Sequence, residues 1–130
     1  MFDDPKGPIE HFSWGRYIIC GVEHSASEQG RIGVGKDIRL INREVTEWHE
    51  RKGHQLTDSM ITGVYDQGIK VLIIGIGVNG AVECPKKVRN GIQAKGISEV
   101  ILERTPDACA LYNSLFHQGK QVALLAHGTC

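Results

Sequence analysis

The run Val71-Leu72-Ile73-Ile74-Gly75-Ile76-Gly77-Val78 decides the fold. Its first four residues are β-branched or leucine with no polar interruption, the pattern of a strand buried on both faces. Two glycines break the run, and it is far shorter than the ~20 apolar residues a membrane helix needs. Downstream, Pro85 suits the first turn of a helix, where a missing N–H costs nothing, and Gly96 stops that helix. Val100 to Leu102 predicts a second buried strand. Thr105-Pro106-Asp107 is a helix start, Ala108, Leu111, Tyr112 and Leu115 recur on one face, and Gly119 ends the segment. Val122 to Ala126 predicts the last strand. Strand and helix in alternation, joined by short links, imply right-handed crossovers and a sheet that is at least partly parallel and covered on both faces.

Upstream the pattern changes. Thr57-Asp58-Ser59 predicts the cap of a helix whose Met60, Ile61, Val64 and Tyr65 recur at three- and four-residue spacing until Gly68. Asp37 to Asn42 and Val45 to His49 alternate polar and apolar, which fits two short strands or one bent strand. Glu23 to Arg31 is strongly polar and reads as a surface loop. Ile9 to Trp14 and Tyr17 to Val22 are rich in β-formers and meet at Gly15-Arg16, predicting a hairpin that extends or flanks the later sheet.

Composition narrows the function classes. The chain has 130 residues, 41% hydrophobic and 23% charged, so one folded domain spanning 1–130 is expected rather than disorder or two marginal units. Fifteen basic residues balance fifteen acidic ones, leaving no overall field to attract nucleic acid or an anionic membrane. The opening Met1-Phe2-Asp3-Asp4-Pro5 lacks the basic and apolar stretches of a secretory leader, which predicts a cytoplasmic address. Cys20, Cys84, Cys109 and Cys130 include no C-x-x-C pair and are expected as free thiols.

The order of several short motifs resembles a family, the Mth-nine-three-eight-like domain. Trp48 is followed by Gly53-His54-Gln55-Leu56, then by Leu72-Ile73-Ile74-Gly75-Ile76-Gly77. Thr105 and Ala108 then precede Tyr112-Asn113-Ser114-Leu115, and His127-Gly128-Thr129-Cys130 closes the pattern. The resemblance implies an α/β fold of three layers: β plus α, a mixed central β-sheet, and α, with an N-terminal β-hairpin followed by alternating strand and helix. It implies no established catalysis, and relatives that include a mitochondrial complex I assembly factor and an adipogenesis-associated protein read as interaction proteins. The pattern departs at Ile76, where the family often has threonine between its glycines.

Several residues carry candidate chemistry. Gly75, Gly77 and Gly80 spell G-x-G-x-x-G after a buried strand, with Glu103 about twenty residues on, where a dinucleotide-binding acid would stand. The helix predicted from Pro85 starts outside that motif, so close backbone approach is the alternative reading. If the two buried strands are parallel neighbours, the same loop meets Arg104 and Thr105. Free amides after Thr105, with the charge of Arg104, would then hold a phosphate or carboxylate; a plain helix cap is the alternative. Cys84, at a predicted helix amino end, is a candidate nucleophile, with His54 or His127 as its base; Cys109 reads as a packed, inert thiol.

His49, His54, His127 and Cys130 form no complete metal pattern, and Glu44, Glu47 and Glu50 read as a wet face. No metal or cofactor is implied. A protein partner or a small anion is expected, and no spacing encodes oligomeric state. Two functions therefore compete: a non-enzymatic protein-binding or assembly module, and a small-molecule binder or enzyme built on Gly75–Gly80, Arg104 and Cys84.

Overall fold

A computed structural model describes all 130 residues. The N-terminal part forms strands β1 (Phe2–Asp3), β2 (Ile9–Ser13), β3 (Arg16–Ile19), β4 (Val22–Ser27) and β5 (Gly30–Ile32), an antiparallel meander in chain order. The remainder forms β6 (Ile38–Ile41), β7 (Glu44–Glu47), β8 (Val71–Gly75), helix α1 (Lys86–Ala94), β9 (Glu99–Glu103), helix α2 (Thr105–His117) and β10 (Val122–Ala126). These five strands make a second sheet in the order β7-β6-β10-β8-β9. β10 runs parallel to β8 and β8 parallel to β9, while β6 and β7 add on antiparallel. The sheet is mixed, and β8 and β9 are parallel neighbours, the condition set for the loop after Ile74 to meet Arg104. The expected burial of the second strand is corrected: β9 is the outermost strand, paired on one side only, so Val100 to Leu102 are half-buried rather than enclosed.

The pleat of β8 and β10 sorts the core into two layers. Val71, Ile73, Val122, Leu124 and Ala126 face one side, against Ala108, Cys109 and Tyr112 of α2 and Ile9, Phe12, Tyr17 and Ile19 of the first sheet. Leu72, Ile74, Ala123 and Leu125 face the other, against Val88 and Ile92 of α1 and Trp48, Leu56, Ile61 and Val64. All ten residues of β8 and β10 are buried, which is why both read as unbroken apolar runs. The expected layers of β plus α, mixed sheet and α are the observed ones. The predicted hairpin flanks the central sheet rather than extending it.

Three local expectations are corrected. First, residues 57–68 are not an α-helix: only Asp58–Met60 makes a single 3-10 turn. Ile61, Thr62, Val64 and Tyr65 are weak helix formers, and Gly63 and Asp66 take positive φ angles that interrupt any helix. Their carbonyls go elsewhere: Trp48 Nε1 donates to Met60 O at 2.7 Å, and Arg39 Nε donates to Thr62 O at 2.7 Å. Ile61 and Val64 are buried as the spacing suggested, but from an irregular segment. Second, Glu23–Arg31 is not a loop but most of the hairpin β4–β5, whose outer strand is wholly exposed. Third, the first hairpin turns at Trp14-Gly15, with Ser13 opposite Arg16, so the turn sits one residue earlier than predicted. Tyr17–Val22 is likewise split between β3 and β4.

Candidate functional site

At the carboxyl ends of β8 and β10 the chain brings together the loop 76–81, the start of α2 and the closing residues His127–Cys130. This is where open α/β sheets usually hold ligands. Every amide of the loop is already bonded within the chain. Ile76 N–H donates to Glu103 O at 2.9 Å, Gly77 N–H to Thr105 Oγ1 at 2.9 Å, and Val78 N–H to Thr129 O at 2.6 Å. Asn79 and Ala81 both donate to Cys130 O, at 3.3 and 3.0 Å, and Gly80 N–H closes a turn on Gly77 O at 3.3 Å. The glycine motif is therefore a clamp on the last residues. Gly77 has φ +100, and any side chain on it would overlap the Cys130 carbonyl.

Thr105 does not cap α2 with its side chain; it is the first helical residue, after Arg104. Its buried hydroxyl instead donates to His127 O at 2.6 Å while accepting from Gly77, and its own N–H goes to Gly77 O at 3.1 Å. Thr105 thus ties three segments together. Pro106 has no N–H, so the first turn of α2 has few amides for an anion. Arg104 is exposed and lies against Gly80. The expected ligand residues Gly75, Gly77, Gly80, Arg104 and Thr105 do converge, but around the protein's own backbone.

Cys84 precedes the Pro85 cap of α1 as predicted, yet it is 8% exposed. Burial pushes its thiol up, and Arg89 only partly opposes that, so the environment resists the thiolate that a helix dipole was expected to favour. No hydrogen bond joins Cys84 to His54 or His127. Burial also pushes the Cys109 thiol far up, in keeping with a packed, inert role. All four cysteines are unpaired.

The two histidines meet a different thiol. A short parallel bridge, Gln55 to Glu83, holds the His54 backbone beside the loop, with Glu83 N–H donating to His54 O at 2.6 Å. From there the exposed His54 places Nε2 3.4 Å from Cys130 Sγ. His127, 2% exposed, places its own Nε2 3.5 Å from the same sulfur and 3.2 Å from Thr129 Oγ1. Its Nδ1 donates to Asp37 Oδ1 at 2.8 Å, which assigns the proton to Nδ1 and leaves Nε2 an acceptor. Asp37 also receives Arg51 Nε at 2.9 Å and the Gly128 N–H at 3.1 Å. Burial pushes the Asp37 carboxyl up, but the hydrogen bond from His127 and the charge and hydrogen bond of Arg51 outweigh it, so the group stays below its usual range.

In the sequence His127 and Cys130 form too incomplete a pattern for metal, and His127 is expected as a base for Cys84 rather than for Cys130. Asp37 carried no signal at all, because it lies 90 residues from His127. His49, the fourth residue weighed for metal, turns to Glu50 at 3.0 Å. No group of three His, Cys, Asp or Glu side chains is arranged to hold a metal ion.

Away from this end the surface has open grooves. One of about 730 Å³ lies between Arg39, Arg43, Glu44 and Gln67, with Ile41 as its one hydrophobic residue. Another of about 660 Å³ runs along Val71, Ile101, Leu111 and Leu115, flanked by Lys70 and Lys120. No helix is long and apolar enough to cross a membrane.

Two stacked sheets, with a helix on each side of the mixed one and a glycine clamp at its carboxyl end, define a layered α/β domain of the Mth938-like type. The chain belongs to the family described as a protein of unknown function (DUF498/DUF598), whose model matches residues 9–127. Its fold is similar to that of a conserved hypothetical protein from Pyrococcus horikoshii OT3, at 21% identity over 94% of this chain and 98% of that one, with a TM-score of 0.74. It is also similar to the protein MT938, at 21% identity over 94% and 97%, TM-score 0.71. A Bordetella pertussis protein described as a Mth938-like domain matches at 17% identity over 98% and 91%, TM-score 0.60.

Proposed function

We propose that residues 1–130 act as one cytoplasmic, non-enzymatic module that binds a protein partner by accepting an extended segment along the open edge of β9. The observation that carries this reading is the edge itself. β9 pairs only with β8, and its Val100, Ile101 and Leu102 are half-buried without a covering strand. Glu99 N–H and Glu103 O bond toward β8, so by strand alternation Val100 and Leu102 point their N–H and C=O groups outward.

The other margins are guarded. β1 has two residues, β5 carries Gly30 and Arg31, and β7 reads Glu-Val-Thr-Glu. An apolar, unpaired edge is a template for another strand, and the groove along Ile101, Leu111 and Leu115 has room for that strand's side chains. Four unpaired cysteines suit a reducing compartment.

The test is affinity purification with quantitative mass spectrometry, using wild type and two edge variants, Val100→Pro and Ile101→Lys. Val100→Pro removes an outward donor while sparing the bonds to β8. The reading expects a partner that binds the wild type, is depleted at least tenfold by both variants, and rebinds when purified. Equal recovery by all three proteins overturns it.

A further inference from the structure

The four thiols occupy four unlike environments. Cys109 and Cys84 are buried, and burial disfavours their thiolates. Cys20 is exposed, and Arg43 Nη1 approaches its sulfur at 4.0 Å, with no imidazole bonded to it. Cys130 is half-buried, and two imidazole nitrogens approach its sulfur at 3.4 and 3.5 Å. One of those imidazoles is oriented by a carboxylate that is itself held by Arg51. Thiol, imidazole and carboxylate in that order are the parts of an activated nucleophile: a base takes the proton, and a third group fixes the base's tautomer and supports its charge.

We propose that Cys130 is a thiol–disulfide exchange site that takes up a low-molecular-weight thiol as a mixed disulfide. His127 Nε2 accepts the Cys130 proton, and the sulfur attacks one sulfur of a small symmetrical disulfide. One S–S bond forms, between Cys130 and the incoming thiol. The S–S bond of the reagent breaks, its electron pair leaves on the second sulfur, and that thiolate takes the proton back from His127. The disulfide is the only oxidant consumed. Asp37 stabilises the transient imidazolium, and His54, on the solvent side, donates to the charge on sulfur.

The surroundings favour this reaction over acyl transfer. Acyl transfer needs amide donors aimed at a developing oxyanion, whereas the Val78, Asn79 and Ala81 amides are taken by the Thr129 and Cys130 carbonyls. No cysteine contacts Cys130: Cys84 and Cys109 are enclosed and the Cys20 sulfur lies by Arg43, so no resolving thiol is in place beside the adduct. The product is thus a stable modification of Cys130. It is independent of the β9 edge, so either assignment can fail without the other.

Oxidised glutathione tests it, with peptide mapping by mass spectrometry at neutral pH and Cys20 of the same molecule as internal reference. Cys130 is expected to form the adduct at least tenfold faster than Cys20, with Cys84 and Cys109 unmodified. His127→Gln should bring Cys130 down to within about twofold of Cys20, and His54→Gln should slow it several-fold. Because His127 is buried, continued protection of Cys84 and Cys109 reports that the His127→Gln fold is intact. Where that protection is lost, the exposed His54→Gln decides. Cys130 reacting no faster than Cys20, or a Cys130 rate that is unchanged in the folded His variants, overturns the assignment.

Discussion

The two faces of the central sheet bury similar cores by different means. On one face, α2 and the first sheet are regular elements, and three side chains of α2 sew them to the rest. Asn113 Oδ1 accepts from Ile9 N–H at 3.0 Å and its Nδ2 donates to Ile9 O at 2.8 Å; Tyr112 hydroxyl donates to Asn42 O at 2.7 Å, and His117 Nε2 lies 2.6 Å from Gly7 O. On the other face, α1 covers only part of the apolar surface, and Trp48 with the irregular residues 49–69 covers much of the rest. That segment has few backbone ladders of its own, so Trp48 and Arg39 reach across to its carbonyls instead. A regular element satisfies its own polar groups and needs only an apolar stripe. An irregular one must borrow side chains from elsewhere to avoid orphaned carbonyls.

The largest expected effect tests the irregular face. Trp48 is fully buried, so Trp48→Ala leaves a cavity and an unpaired Met60 carbonyl. A loss of about 3–5 kcal/mol in denaturant unfolding is expected, with amide exchange rising first in residues 56–69. Unchanged exchange there would show that the segment holds itself.

Asp37 joins the two faces at their carboxyl end. Asp37→Asn should cost about 1.5–3 kcal/mol at neutral pH, because His127 and Arg51 lose a charged partner. The sign with pH follows from the lowered carboxyl. Its stabilisation is complete well above the ordinary aspartate value of about 3.9 and drains away as pH falls through that value toward the folded one. Melting temperatures of wild type and variant should therefore converge between about pH 5 and pH 3. A constant gap across that range would contradict the direction of the shift.

The regular face is probed by Asn113→Ala, which leaves both polar groups of Ile9 without their partner. A loss of about 1–3 kcal/mol is expected, measured by chemical denaturation, with protection of β1 and β2 falling more than that of β8. Tyr17→Phe is the smallest change. The Tyr17 hydroxyl is buried with no bond partner, so its removal should leave stability within about 0.5 kcal/mol or raise it slightly. A clear loss would reveal a partner for that hydroxyl.

Much of the second half was legible from residue order. β10 spans the predicted Val122–Ala126, β8 exceeds its predicted run by one residue, and α1 and α2 start and stop beside the proline, threonine and glycine signals that forecast them. These elements obey local rules: continuous burial gives continuous apolar runs, and helix ends have their own chemistry. Residues 57–68 misled because burial of Ile61 and Val64 produces helical spacing whether or not the backbone is helical. The β4–β5 hairpin was hidden because its outer strand buries nothing and therefore has no apolar alternation to read.

By itself, then, the sequence determined the alternating strands and helices, a sheet at least partly parallel and the glycine turn at the end of β8, all consequences of patterns local to the chain, while the pairing of β8 with β9 was a condition that the tertiary structure met. Only the tertiary structure decided that this turn clamps the protein's own backbone instead of displaying free amides. It alone brought Asp37, His54, His127 and Cys130 to one place. The physical reason is range. Backbone propensity and burial periodicity act over a few residues, whereas hydrogen bonds between residues 76 and 90 positions apart form only once the central sheet has assembled and its flanking segments have packed on it.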